Sequence, residues 1–499
     1  MKKLFAIALV LTMMLSMLTV TANAAAWDGT SASSSLKGEG TAASPYLVES
    51  ADDLKYIQVQ VNDGNTFEGK YFKQTADIDL NNKEWTPIGD RSAKPFIGLY
   101  DGNGYKIVNF FQSFNYRFAG LFAFMTTSEA TDFTPGLINI TLEGKMEGGD
   151  RVGDIYSGAL LGWCQRTSTH ENKIVLINCD VDVDMTLDTT GKGITGDIIL
   201  GNVLARSGYI SVINCTSRGD ISVTADGSKV TAGGVVAYAP DCDVINCVNY
   251  GNVTVCTTAA KDIYCGGVIG ATATSKIALK IDNCINYGTV FSDGAHKNYT
   301  GGVIGCSAAA NCAITNCVNL ADVTSKSTST SALPYAGGVL GYTAKDGVSV
   351  ANCYNNGKIV TVGENVTGHN PGGIVGVMNN ASDTTFIKDC TTTTDTFKGW
   401  MAATNLATNC VVSADAAVIT AAAKAIEDTI TAATSATVNG AEFKFAEPTP
   451  ITPPAPETTE PETTEPGSSS DTGDSALIFA IIAVISVAGV ALVARRREI

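Results

Sequence analysis

Three aspartates at alternating positions form the densest group of potentially reactive side chains in this sequence. Asp180, Asp182 and Asp184 lie in a segment rich in β-branched residues, and in a strand every second side chain points to the same face. Three carboxylates on one face could bind calcium or supply the acid and base of glycoside cleavage. The alternative is a solvent-exposed strand edge whose charge opposes aggregation.

Other catalytic signatures are sparse. His170, His296 and His369 are isolated in the sequence, and no second histidine follows His170-Glu171 as a zinc-binding helix would require. The sequence also lacks a Gly-x-Ser-x-Gly elbow, a phosphate-binding loop and a Cys-x-x-Cys pair. We therefore predict no metal and no cofactor.

Two further motifs could contact a ligand. Arg218-Gly219-Asp220 is an integrin-type tripeptide, although its glycine also matches the turn glycines of a repeat. Tyr250, Tyr287 and Tyr354 fall near the same turn in three repeats. They could form a platform for saccharides, or they could pack over the turn.

A repeat of about 35 residues must position these side chains. Its clearest phrase is Gly-Gly followed by aliphatic residues, with spacings of 32 to 43 residues between copies. Copies begin at Gly233, Gly266, Gly301, Gly337 and Gly372, with looser ones at Ala119, Gly158 and Gly201. A period of this size indicates one supersecondary unit that is repeated and stacked.

An Asn-Cys phrase, preceded by an alternating β-rich run, lies between the Gly-Gly copies. Its asparagines continue the inward-facing positions, and we expect them to pair as a ladder at a strand corner, about 4.8 Å apart. The predicted ladder comprises Asn178, Asn214, Asn246, Asn283, Asn316 and Asn352.

The cysteines of this phrase should form a reduced stack in the core, since a free cysteine behaves as a small apolar residue. The stack comprises Cys179, Cys215, Cys247, Cys284, Cys317, Cys353 and Cys390. Disulfides between neighbours are the alternative. Outside the stack, Cys256 with Cys265 and Cys306 with Cys312 are candidate local bridges.

About three strands per unit predict an all-β fold, namely a right-handed parallel β-helix of about seven or eight coils over 119–390. A propeller is the alternative, although its blades need four strands. Residues 25–118 are predicted as an N-terminal α+β cap, with a helix from Ser50 to about Val61. Residues 391–446 are predicted as a C-terminal cap with a helix at 414–431 and a strand near 442–445.

The chain ends predict export and anchoring. Residues 1–24 have the pattern of a signal peptide, and the Pro/Thr/Glu-rich residues 447–475 are predicted to be a disordered stalk. Residues 476–494 are apolar or small and would span about 28 Å as a transmembrane helix. The tail, 495–499, contains Arg495, Arg496 and Arg497 and should remain cytoplasmic.

The order of these C-terminal segments resembles the sortase-type sorting signal of Gram-positive surface proteins. Thr472-Gly473 matches the Thr-Gly bond that sortase cuts, whereas Ser469 and Ser470 stand where that family has Leu-Pro. The resemblance implies anchoring through Thr472, Gly473 and the arginine cluster, with sortase as a partner if it processes the variant motif. Membrane attachment by the helix alone is the alternative.

The Gly-Gly and Asn-Cys phrases resemble the GLUG-motif repeat of bacterial surface proteins. The segment before them, with Trp85-Thr-Pro-Ile-Gly89 and Asp101-Gly-Asn-Gly104, resembles the module that commonly precedes those repeats. Together the two resemblances cover about residues 37–390. They imply a surface β-helix and assign no catalytic residues.

The net charge of the chain limits the classes of partner that it can bind. The net charge is −16, and removing the two signal-peptide lysines and the net +2 of the tail leaves −20 outside the membrane. Such a surface repels nucleic acid and anionic lipid. We therefore predict a non-enzymatic adhesin that displays a repetitive face to polysaccharide, matrix or other cells. The alternative is a carbohydrate-active β-helix enzyme, a lyase or glycosidase, although Arg206, Arg218 and Lys229 are too scattered to suggest one.

Overall fold

The computed structural model describes residues 26–446, except 91–92, 131, 168–171, 274–276, 330–332, 364–370, 380–385, 395–397, 402–406 and 414. Here the chain winds into a β-solenoid whose wall consists of four parallel sheets, A to D. Eight strands of sheet A lie between residues 119 and 390. This confirms the predicted parallel β-helix of about seven or eight coils.

The predicted signal peptide, stalk, membrane helix and basic tail lie outside the described residues. Within the part that the structure describes, no helix combines the length and the apolar character needed to cross a bilayer.

The coils that contain a strand of sheet D follow the same path through the four sheets. In one coil the chain runs through Cys242–Ile245 in sheet A, Val253–Thr257 in sheet B, Ile263–Gly266 in sheet D and Ile269–Thr272 in sheet C. Consecutive coils pair in parallel and in the register of the sequence repeat. Equivalent positions of the repeat therefore form rows along the solenoid.

Sheet A has 12 strands: Tyr46–Val48, Tyr71–Gln74, Leu99–Asp101, Gly136–Ile138, Ile174–Ile177, Ile210–Ile213, Cys242–Ile245, Leu279–Asp282, Cys312–Thr315, Ser349–Ala351, Phe386–Lys388 and Ala407–Thr408. Sheet B has 16: Ile78–Asp79, Lys106–Gln112, Thr141–Glu147, Asp180–Asp188, Thr216–Ser217, Ile221–Ala225, Val248–Asn249, Val253–Thr257, Ile285–Asn286, Val290–Gly294, Val318–Asn319, Val323–Ser327, Tyr354–Asn355, Ile359–Val362, Thr391–Thr392 and Val411–Val412.

Sheet C has nine strands: Phe122–Thr126, Leu161–Gln165, Leu204–Arg206, Val236–Ala239, Ile269–Thr272, Ile304–Ser307, Leu340–Thr343, Val375–Met378 and Lys398–Met401. Sheet D has seven: Phe118–Ala119, Ile155–Gly158, Ile198–Gly201, Val230–Gly233, Ile263–Gly266, Asn298–Gly301 and Pro334–Gly337.

Asparagines make the corner between sheets A and B. The six predicted ladder residues have φ between 51° and 56°, the left-handed conformation that asparagine tolerates better than most residues. This conformation turns their side chains to the outer side of the corner instead of into the core. Five of them are half-buried there, and Asn352 is exposed. The cysteine after each asparagine re-enters the core.

The outer ladder is interrupted. Asn178 Nδ2 donates to Asn139 Oδ1 at 2.9 Å, and Asn214 Nδ2 donates to Asn178 Oδ1 at 2.8 Å. Asn283 Nδ2 donates to Asn246 Oδ1 at 3.1 Å. Asn316 instead donates to Asp282, and the structure shows no hydrogen bond from Asn352 to its predicted neighbours. Small differences between coils at an exposed corner are sufficient to change these partners.

A second row of asparagines, which the sequence analysis missed, lies inside the solenoid. Asn249, Asn286, Asn319 and Asn355 are fully buried, and each Nδ2 donates to the Oδ1 of the next at 2.9, 2.8 and 2.7 Å. The same amides also donate to a carbonyl of their own turn at 2.7 to 2.9 Å. The side-chain amides of Asn286, Asn319 and Asn355 are thus paired on both sides, as buried polar groups require, whereas Asn249 Oδ1, at the start of the row, has no partner among the described residues.

This inner ladder explains the Gly-Gly phrase. A Cβ atom on Gly267 would lie 2.3 Å from Cγ of Asn286, and one on Gly302 would lie 2.3 Å from Cγ of Asn319. The second glycine therefore leaves the space that the buried amide occupies. The second glycine of the Gly-Gly phrase and the inner-ladder asparagine therefore form one packing contact.

The solenoid begins within the predicted N-terminal cap module. Strands from Tyr46 onward already belong to sheet A, so residue 118 does not mark a break in the sheets. The helix α1 is Ala51–Asn62, and Ser50 Oγ accepts the N–H of Asp53 at its start. This helix buries Leu54 and Ile57 in the common core.

The C-terminal elements differ from the predicted end cap. The helix α2, Ala416–Ala432, lies along the side of the solenoid and packs Ile419 and Ala423 against outward residues of sheet B. An antiparallel hairpin, Ser435–Val438 with Ala441–Lys444, covers the outer face of sheet A. Sheet A carries apolar residues there on its outer side too, and this surface has to be covered.

The structure contains all fourteen cysteines as thiols. The predicted stack lies in the core and continues to Cys410, and burial raises the pKa of Cys179. The two predicted local bridges are absent because their partners lie on opposite sides of the wall. Cys265 and Cys312 face the core, whereas Cys256 is half-exposed and Cys306 joins an outer cluster.

Candidate functional site: an aromatic strip on the outer wall

The three aspartates share the solvent-facing side of the strand that begins at Asp180. Arg218 Nε contacts Asp180 Oδ1 at 2.9 Å, and Asp184 Oδ1 accepts the N–H of Asp220 at 2.9 Å. Partial burial, followed by the neighbouring carboxylates, raises the pKa of Asp182. Among the described residues, no three His, Cys, Asp or Glu side chains are arranged to hold a metal ion. The aspartates form a solvent-facing row of charges on an interior strand, which pairs with Thr141–Glu147 on one side and with Thr216–Ser217 and Ile221–Ala225 on the other. The expected strand edge was therefore wrong.

The Arg-Gly-Asp tripeptide holds neighbouring coils together. Arg218 pairs with Asp180 of the preceding coil, and Asp220 Oδ1 accepts the N–H of Asn252 at 2.7 Å from the following one. A Cβ on Gly219 would lie 2.2 Å from a carbonyl oxygen of the preceding coil. The repeat accounts for all three residues.

Helix α2 covers most of the predicted tyrosine platform. Tyr250 and Tyr287 stack with their ring centroids 4.9 Å apart and their planes at 6°. The Tyr287 hydroxyl, however, contacts Glu427 of the helix, and Tyr354 packs against the same helix. Tyr250 is the most accessible of the three, at 41% exposure. Packing over the turn is therefore the main role of this row.

His296 is the one predicted histidine within the described residues; His170 and His369 lie outside them. Its Nδ1 lies 2.5 Å from Asp262 Oδ1, and the Tyr264 hydroxyl donates to Asp262 Oδ2 at 3.3 Å. In the described part of the chain, the imidazole forms no hydrogen bond to a serine or cysteine. The pair therefore lacks a nucleophile.

A strip of aromatic side chains lies where sheets C and D meet. We call this surface the aromatic strip; it consists of Phe118, Phe124, Tyr156, Trp163, Tyr238, Tyr264, Tyr299, Tyr335 and Tyr342. It extends over the seven coils of sheet D, and Tyr238 contacts both clusters that compose it. Its residues were not predicted from the sequence to form a surface.

Side chains from the two sheets face each other across a concave corner. Trp163 of sheet C lies 5.0 Å from Phe118 of sheet D between ring centroids, and Tyr342 lies 4.8 Å from Tyr299. Outward side chains of adjoining sheets can meet only where the wall bends inward. The strip fills this corner.

Within the strip, tyrosines of successive coils stack. The centroids of Tyr264 and Tyr299 are 5.1 Å apart, and those of Tyr299 and Tyr335 are 5.3 Å apart. Burial of Tyr264, together with the charge of Asp262, raises its pKa. The hydroxyl therefore stays protonated at neutral pH and can both donate and accept a hydrogen bond.

Half-buried members of the strip form its solvent surface. Trp163, Tyr238, Tyr264 and Tyr342 are each partly accessible, and their neighbours hold the rings in place. Such rings offer apolar edges and polar groups with little conformational entropy left to lose on binding.

Arg117, Arg206 and Lys229 each lie over at least one ring of this surface, and Arg206 contacts three. The Arg206 guanidinium lies 4.8 Å from the ring centroid of Trp163 and 5.5 Å from those of Tyr156 and Tyr238. In register, Arg206 pairs with Trp163 on one side and Tyr238 on the other. Arg206 therefore stands in the same row of sheet C as these two aromatic residues, one coil after Trp163 and one coil before Tyr238.

A positional signal for the strip exists in the sequence. Tyr156, Tyr264, Tyr299 and Tyr335 each stand two residues before the first glycine of a Gly-Gly-like phrase. Trp163, Arg206, Tyr238 and Tyr342 each stand five residues after that glycine. Neither set of positions alone indicates a shared surface, because the two sets come into contact only through the bend between sheets C and D.

No family model matches the chain, so the resemblance to GLUG repeats stays a prediction. Over 80 residues the chain is 40% identical to a "Putative Gly-rich membrane protein" of Evansella cellulosilytica. This match covers 15% of the chain and only 9% of that relative's length.

Two solved structures resemble the fold. One is a "putative immunoglobulin A1 protease" from Bacteroides ovatus, at 19% identity and a TM-score of 0.42, covering 82% of this chain and 94% of that one. The other is an "IgA1 Protease", at 14% identity and a TM-score of 0.38, covering 62% of this chain and 21% of that one. These likenesses concern the fold alone and carry no argument about activity.

Proposed function

We propose that this protein is a surface-displayed binding protein that holds saccharide chains along its aromatic strip and does not cleave them. The observation that carries the proposal is the recurrence of these aromatic rings along the solenoid, with Arg206 standing between Trp163 and Tyr238 in the row of sheet C. Saccharides present alternating C–H faces and hydroxyl groups, which suit the edges and hydroxyls of half-buried tyrosines and tryptophan.

The repeat supports binding to a polymer. Contacts that recur once per coil offer a chain several weak sites at a fixed spacing, and linked weak sites gain affinity through effective concentration. Such a surface needs no nucleophile or acid–base pair. This agrees with the pairing of Asp180 with Arg218 and of the His296 imidazole with Asp262.

The predicted ends of the chain place this surface outside the cell. A signal peptide over 1–24 would export the chain, and the segment 476–494 with Arg495, Arg496 and Arg497 would anchor it. Processing by sortase at Thr472-Gly473 would transfer it to the wall. In both cases the stalk over 447–475 would hold the solenoid away from the membrane.

The test uses residues 26–446 on an array of neutral and acidic oligosaccharides, followed by calorimetry with the best binder. Trp163→Ala and Tyr238→Ala should each weaken binding about tenfold or more, as central aromatic contacts do. Tyr250→Ala is the matched control, since it removes a half-exposed stacked ring from another face and should leave affinity unchanged. Thermal melting verifies that each variant is folded.

Equal losses in all three variants, or none, would contradict the proposal. Release of shorter saccharides by the purified protein, abolished by Asp182→Asn, would instead establish the carbohydrate-active enzyme that the aspartate strand first suggested.

A further inference from the structure

Arg206 has an environment that differs from that of most cations in the molecule. Arg218 also lies over an aromatic ring, 5.0 Å from the Tyr250 centroid, but its guanidinium is paired with Asp180 at 2.9 Å. Arg117 lies 5.3 Å from the Phe118 centroid and is paired with Asp154 at 2.7 Å. Within the described residues, the structure shows neither a carboxylate partner nor a hydrogen bond for the Arg206 side chain.

The rings around Arg206 hold its plane without using its hydrogen-bonding edge. Cation–π contacts act on the face of a guanidinium. Its N–H groups, which lie in the plane, are donors in a fork that matches the oxygens of a carboxylate. The residue is half-buried, so an ion pair formed there is screened less than one on a fully exposed surface.

Nearby acidic groups are already neutralised. Asp154 is paired with Arg117, and Asp197 lies 3.5 Å from Lys229 Nζ. An anionic group that approaches Arg206 therefore meets a local positive charge on a chain whose net charge is −16. Anions without further contacts are repelled by the rest of the surface.

We propose that Arg206 is the anion-recognition point of the strip and that the saccharide it selects is acidic, with a carboxylate or sulfate group bound by the guanidinium. This inference rests on the proposed saccharide binding and adds the chemical class of the ligand. The flanking rings of Trp163 and Tyr238 would contact the sugar units on either side.

The test compares acidic oligosaccharides with their uncharged counterparts by calorimetry at low salt. The probes are oligogalacturonate and hyaluronan, each beside its carboxyl-reduced form, and a chondroitin sulfate oligosaccharide beside its desulfated form. The wild-type protein should bind at least one acidic member more tightly than its uncharged partner. The pair that shows the difference distinguishes a carboxylate from a sulfate.

Arg206→Gln should lower the affinity for the acidic ligand about tenfold or more, and it should change the affinity for the uncharged ligand by less than about twofold. Arg206→Lys should restore only part of the affinity, because an ammonium lacks the planar fork. Arg218→Gln is the matched control and should change neither. Higher salt should reduce the acidic preference of the wild type.

Equal binding of charged and uncharged members by wild type and Arg206→Gln would overturn the inference and leave the proposed function standing. Equal loss of both members in a folded Arg206→Gln variant would also overturn it, since the arginine would then act by packing alone. Binding of no member would overturn both.

Discussion

Replacing Asn286 by leucine should lower the free energy of unfolding by about 3 to 5 kcal/mol, because three buried polar groups lose a partner. Asn286 Nδ2 donates to Gly288 O at 2.7 Å and to Asn319 Oδ1 at 2.8 Å, and its Oδ1 accepts from Asn249 at 2.9 Å. Leucine branches at Cγ as asparagine does and leaves no cavity, so the loss reports the missing hydrogen bonds together with the strain of fitting two bulkier methyl groups. Urea denaturation of residues 26–446 provides the measurement.

Asn283→Leu is the matched control for this substitution. Asn283 belongs to the outer ladder, is half-buried and donates to Asn246 Oδ1 at 3.1 Å. Its replacement should cost about 1 to 3 kcal/mol, including the strain of a left-handed backbone. An Asn286→Leu protein as stable as wild type, or no less stable than Asn283→Leu, would contradict the assignment of the inner ladder as the structural one.

Gly267→Ala should be comparably damaging, by about 3 kcal/mol or more, because overpacking of a rigid contact forces backbone shifts. The new Cβ would lie 2.2 Å from the carbonyl oxygen of Gly302 and 2.3 Å from Cγ of Asn286. The first of these atoms is backbone, so a rotamer change cannot relieve the overlap. The loss would appear as a lower urea midpoint or as failure to fold.

Gly191→Ala is the control for backbone conformation alone. Gly191 has φ of +72° and nothing within 4 Å of its missing Cβ, so alanine there should cost about 1 kcal/mol from the left-handed backbone. Equal effects of the two glycine substitutions would mean that the space beside Asn286 is not the reason for the Gly-Gly phrase.

The repeat period and the period-two alternation were sufficient to predict the coil and its length. Both are local properties of the chain, and in a stacked fold the same local pattern recurs at the same place in every coil. The direction of the outer asparagines was not predictable in this way. Counting by twos placed Asn214 inward, but its left-handed backbone interrupts the alternation and turns the amide outward.

The inner ladder and the aromatic strip depend on contacts between different sheets. Asn286 fits because Gly267, nineteen residues earlier, lacks a side chain. Trp163 meets Phe118 because the wall bends between sheets C and D. Neither contact can be predicted from the sequence of a single strand, although the residues of both contacts recur at fixed positions of the repeat.

The position of the C-terminal segment on the solenoid was also not predictable from local sequence patterns. Its helix and strand were predicted near their observed positions, 416–432 and 441–444. Their place on the side of the solenoid follows from outward apolar residues such as Val175, Ile177 and Val248. These residues belong to coils that are distant in sequence, so chain order alone suggested an end cap.

A structure of residues 26–446 with the tightest-binding oligosaccharide tests the central claim most directly. We expect the saccharide to lie along the aromatic strip, with sugar units against Trp163 and Tyr238 and the long axis of the saccharide chain parallel to the solenoid. Saccharide bound instead at the Tyr250 turn or along the Asp180 strand, with the strip unoccupied, would contradict it.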